Sequence, residues 1–98
     1  MIRNPDYYLA WYSRATERLA RGDDAGAIAD YTETLRINPR YIEAYNNRGL
    51  ARQRTGDLAG AVADLSEALR LSPPDWPPRA MIQGNLTMAQ QELARRGQ

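Results

Sequence analysis

Cysteine, histidine and lysine are all missing from the 98-residue chain. Without Cys there is no disulfide scaffold, no thiolate metal site and no cysteine nucleophile. Without His the commonest general base and the commonest metal ligand are gone. All thirteen basic residues are Arg, set against twelve Asp and Glu, which leaves a net charge of +1. A chain this close to neutral has no long-range field of one sign to attract nucleic acid or an anionic membrane, so neither is expected as a partner. A GC-rich coding bias explains the preference for Arg at least as simply as a demand for bidentate recognition.

Long apolar runs are missing as well. No stretch approaches the roughly 20 residues of a membrane span, and Met1 to Tyr12, with Arg3 and Asp6 in it, has no apolar core of a signal peptide. A soluble, cytoplasmic protein is the expectation. There is no Gly-rich phosphate loop, zinc-ligand spacing, nucleophile elbow or pair of carboxylates at a plausible cleft. Asp23-Asp24 reads more simply as a helix cap and dipole partner than as a metal site. The expectation is therefore no enzyme, no cofactor and no metal.

What the chain does have is an internal period of 34 residues. Slid by that distance, Ala10 meets Ala44, Arg14 meets Arg48, Arg18 meets Arg52, and Gly22-Asp23 meets Gly56-Asp57. Ala25-Gly26-Ala27 meets Ala59-Gly60-Ala61, Ala29-Asp30 meets Ala63-Asp64, and Glu33, Leu35-Arg36 and Pro39 meet Glu67, Leu69-Arg70 and Pro73. These are 14 identities in 34 ungapped pairs. Each unit reads as two helices. Gly22-Asp23 and Gly56-Asp57 turn the chain between them, because Gly accepts a left-handed backbone and Asp caps the next helix. Pro39 and Pro73 close each unit, since proline cannot continue a helix. Helices are predicted over about 6–21, 24–37, 41–55 and 58–71.

Residues 8–75 resemble two tetratricopeptide repeats. The first carries Trp11-x-x-Arg14-Ala15-x-x-Arg18, Ala27-x-x-x-Tyr31 and Pro39, and the second Tyr45-x-x-Arg48-Gly49-x-x-Arg52, Ala61-x-x-x-Leu65 and Pro73. Small residues stand where two helices must approach closely, and Trp11, Tyr31, Tyr45 and Leu65 fill the space around them. The resemblance implies an all-α fold of antiparallel helix-turn-helix repeats stacked as a short right-handed superhelix, an α-solenoid of about five helices. The whole chain, 1–98, is then one such domain, with repeats at about 8–41 and 42–75 and a capping helix at about 78–96. Arg14, Arg18, Arg48 and Arg52 depart from the family, which usually has Leu and Tyr there. Two readings of them stand. Arg14 reaches Asp30 and Arg48 reaches Asp64 as internal ion pairs, or the four form a ladder for a phosphate or carboxylate.

After the second repeat, Pro73-Pro74-Asp75-Trp76-Pro77-Pro78 is a stiff link that breaks the period by about two or three residues. In the helix beyond it, Met81, Ile82, Leu86, Met88, Ala89 and Leu93 fall on one face, and Gln83, Thr87, Gln90, Gln91 and Arg95 fit the outer face of a cap. The apolar arc spans roughly 160°, wider than one contact needs. Met81, Ile82, Leu86, Met88 and Leu93 are therefore candidates for self-association.

The family usually holds peptides in a concave groove lined by the first helix of each pair. Carried over by position, the lining is Leu9, Tyr12, Ser13 and Thr16, then Glu43, Asn46, Asn47, Leu50 and Arg54. Asn amides pair with an extended backbone, while Tyr12 and Leu50 contact side chains. Tyr12 is expected to be exposed, and Trp11 and Tyr8 to lie in the core. A chaperone-type carboxylate clamp is not expected, because Tyr12 stands where that clamp has a Lys and Thr16 where it has a second Asn. The function implied is a protein-protein interaction module, an adaptor whose partner is another protein or peptide. The alternative is a homodimeric scaffold joined through the last helix.

Overall fold

The computed structural model describes residues 7–97. They form α1 (Tyr7–Ala20), α2 (Asp24–Ile37), α3 (Ile42–Thr55), α4 (Leu58–Leu71) and α5 (Arg79–Arg96). Each boundary falls at the predicted one or one residue from it; position 6, the predicted start of the first helix, lies outside the described residues. The turns form for the reasons foreseen. Gly22 and Gly56 take φ of 85° and 91°, and the amides of Asp23 and Asp57 reach back to the carbonyls of Arg18 and Arg52 at 2.8 Å. The same aspartates then accept the Gly26 and Gly60 amides at 3.0 Å, capping α2 and α4.

Helices pack in sequence, α1 on α2, α2 on α3, α3 on α4 and α4 on α5, giving an elongated body of 51 × 32 × 19 Å. The contacts between α1 and α2 gather Ala15, Ala27, Tyr31 and Leu35 with Ala44 of α3. The second cluster gathers Ala61, Leu65 and Ala68 of α4 with Ile82, Leu86 and Ala89 of α5. Alanines at the contacts let the axes approach, and Tyr31 and Leu65, both at 0% exposure, fill what remains. Gly49 has a reason of its own, since a Cβ there would stand 2.9 Å from Cγ of Leu65. Trp11 departs from expectation. It is half-buried at the margin, with the Arg14 guanidinium 5.2 Å from its ring centroid, and Tyr8 is likewise half-buried, edge-on to Tyr41.

The repeated arginines face the repeated aspartates. Arg14 Nε and Nη2 donate to Asp30 at 2.8 and 3.0 Å, and Arg48 Nε and Nη2 donate to Asp64 at 2.9 and 2.8 Å. Arg18 and Arg52 converge on the same carboxylates at 3.6 and 3.0 Å. Both aspartates are buried, and two cations on one carboxylate offset the cost of removing it from water. All four guanidiniums are engaged by the aspartate of their own repeat, which supports the first of the two readings.

The link turns tightly, and Arg79 then anchors α5 by donating from Nη1 to the carbonyl of Leu69 at 2.7 Å. It adds a second donor to a carbonyl that already accepts the Ser72 amide at the end of α4. Two of the residues expected on an association surface lie elsewhere. Ile82 and Leu86 are 1% and 7% exposed, because Ile82, Leu86 and Ala89 form the i, i+4, i+7 stripe that closes onto α4.

Candidate functional site

The first helices of successive pairs are joined along one face by side-chain hydrogen bonds. Asn47 Nδ2 donates to the Tyr12 hydroxyl at 3.1 Å, linking α3 to α1. Asn46 Nδ2 donates to Asn47 Oδ1 at 3.4 Å. Asn85 Nδ2 donates to Asn46 Oδ1 at 3.3 Å, linking α5 to α3. The contact repeats with a shift. Asn46 follows Tyr12 by the period of 34, whereas Asn85 follows Asn47 by 38, so α5 takes the place of a third first helix after a link four residues longer than the period.

Of the nine sequence-derived residues, the structure brings Tyr12, Asn46 and Asn47 into this ladder directly. Tyr12 is half-buried rather than exposed, because its ring packs against Tyr31 and Tyr41 with centroids 5.7 and 4.9 Å away. Asn46 departs further from expectation. At 6% exposure it braces α3 against α5 and presents almost no surface. Thr16 donates to the Tyr12 carbonyl and shares a 3.0 Å hydrogen bond with the Tyr31 hydroxyl. Leu9, Ser13 and Glu43 are exposed, Leu50 is half-buried, and Arg54 turns aside to pair with Asp24 of α2 at 3.1 Å. Burial pushes the Tyr41 phenol up to about 12, with Glu43 and the neighbouring Tyr12 and Tyr8 adding to it.

Met81 and Met88, candidates for self-association in the sequence, are exposed on the ladder side of α5, since residues 81, 85 and 88 share one stripe of a helix and Asn85 on that stripe bonds to α3. Beside it lies a cleft of about 510 Å³, with Gln53 and Leu58 on one wall and Met88, Gln91, Glu92 and Arg95 on the other. Leu93 is 39% exposed. The signal for Met81, Asn85 and Met88 was the register of α5, legible only once the link is counted as four residues beyond the period.

Among the described residues no group of three or more His, Cys, Asp or Glu is placed to hold a metal ion, and no helix is long and apolar enough to cross a membrane. No curated protein matches the chain. A family model described as TPR repeat matches residues 15–56, and one described as Tetratricopeptide repeat matches residues 42–75. With five helices in the predicted antiparallel order and both models laid over four of them, the chain belongs to the tetratricopeptide-repeat family, whose members are generally non-catalytic protein-protein interaction modules.

Proposed function

We propose that this protein is an adaptor that holds a segment of another protein against the face shared by α1, α3 and α5. One observation carries the reading. Met81 and Met88 are 58% and 60% exposed on the side of α5 that carries Asn85, beside an open cleft and in line with Tyr12 and Asn47. Thioether side chains are polarizable and adaptable, which suits a surface that takes up a partner. In this reading the chain is one domain, with repeats at about 8–41 and 42–75 and α5 as the cap that also supplies part of the site.

The test is selection of binders from a displayed library of random segments of about 16 residues, long enough for four helical turns. Binders are expected that lose about tenfold or more of their affinity to Met88→Glu, while the melting temperature of that variant stays within about 3 °C of the parent. A library that yields no binder, or binders indifferent to Met88→Glu and Asn47→Ala alike, would sink the proposal. The homodimer reading keeps only Met81, Met88 and Leu93, because Ile82 and Leu86 are inside the fold. That remnant is small beside the area a stable dimer buries, so a monomer is expected by sedimentation equilibrium.

A further inference from the structure

A glycine inside a helix weakens it, so each one calls for a reason. Gly22 and Gly56 have positive φ, Gly26 and Gly60 lie against the capping carboxylates, Gly49 lies against Leu65, and Gly97 ends α5. Gly84 has no such reason. It is exposed in the interior of α5, a Cβ added there would meet nothing within 4 Å, and it stands between Met81 and Met88 on the face just described. No contact among the described residues requires a glycine at this point.

We propose that the Met81–Gly84–Met88 stripe seats an amphipathic α-helix of the bound protein, whose backbone crosses α5 over Gly84 and whose acidic side chain meets Arg95. This rests on the adaptor reading and narrows it to one class of partner. Three features select a helix over an extended segment. Met81 and Met88 are two turns apart, about 10.5 Å along the axis, the spacing of apolar residues at i and i+7 of a second helix. An extended strand presents one face about every 6.6 Å and falls out of step. The ladder amides are also partly engaged, each Nδ2 of Asn46, Asn47 and Asn85 donating one of its two N–H groups to a neighbour. An extended backbone draws on such groups along its whole length, whereas a helix satisfies its own. A missing side chain at the crossing, finally, is what allows two helix axes to approach closely.

Charge supplies the last element. Arg95 lies one heptad beyond Met88, and its side chain is 74% exposed. Arg95 and Arg96 share the single carboxylate of Glu92, so this end of the stripe carries a surplus positive charge. A carboxylate on the incoming helix, two turns past its apolar residues, complements it.

The decisive variant is Gly84→Gln, read in two ways against segments selected from the displayed library. Replacing an exposed helical glycine is expected to raise the melting temperature by about 3–6 °C. Filling the crossing point is expected to weaken the selected segments by about tenfold or more. The selected sequences are expected to carry apolar residues at i, i+3 or i+4, and i+7, with Asp or Glu two turns beyond, and to weaken on Arg95→Glu. Stability lowered by Gly84→Gln, or binding untouched by it, overturns the proposal. Binders with apolar residues at alternate positions, still sensitive to Met88→Glu, overturn the helical partner and leave the adaptor reading standing. The absence of any binder overturns both.

Discussion

Asp64 shows how a charged residue comes to hold a helical repeat together. Its carboxylate is buried and accepts from Arg48 and Arg52, and the Arg48 guanidinium also reaches the Thr32 hydroxyl of the preceding pair at 3.1 Å. One side chain thus ties three helices. Asp64→Ala removes the buried acceptor that the two guanidiniums share and is expected to lower stability by about 2–3 kcal/mol, a fall of roughly 10 °C or more in melting temperature. A thermal melt within 2 °C of the parent would remove the network from the account of stability. Arg48 and Asp64 were legible as partners because the pair recurs at the repeat period and half-buried charges need partners. The convergence of Arg18 and Arg52 on the same aspartates was not legible, since it depends on how far two helix axes are turned towards each other.

At the scale of the element, α5 divides its apolar residues between two tasks. Ile82, Leu86 and Ala89 close the fold against α4, while Met81 and Met88 face the ladder side. Leu86→Ala is expected to cost about 2–4 kcal/mol in urea unfolding, and Met88→Ala to stay within about 0.5 kcal/mol. Equal costs would mean that the stripes are wrongly divided. For the same reason Leu86→Glu is a poor probe of self-association, because it places a charge in the core; Leu93→Glu asks that question cleanly. The sequence marks α5 as a helix with a broad apolar arc, but an arc alone does not say which part meets α4.

Across the whole molecule, the titratable groups set a pH window. The Arg14 guanidinium, hydrogen-bonded to Asp30, holds that carboxyl below its ordinary value against the opposing effect of burial, with Arg18 assisting. The unfolded chain therefore binds the proton more readily, so this contribution is present above about pH 4 and is lost as pH falls through the lower folded value. Tyr41 works in the opposite sense. Its phenol is pushed up to about 12, so its contribution is present below about pH 10 and is lost as pH rises towards 12. Melting temperature at constant ionic strength is expected to be flat between these limits and to fall outside both. Equal stability at pH 3 and pH 7 would contradict the role given to Arg14 and Asp30.

The sequence by itself determined the period of 34, the helix boundaries and the glycine turns, and it offered the charge pairs as one of two readings. Each of these depends on residues close along the chain, or on a pattern that the repeat states twice. Only the tertiary structure decided that Asn46 is a brace, that Ile82 and Leu86 are core, and that Met81 and Met88 flank an unfilled glycine beside the ladder. The reason is the proline link, which follows no repeated pattern. Four residues more or fewer shift a helix by about one turn, and the same side chains then meet different neighbours.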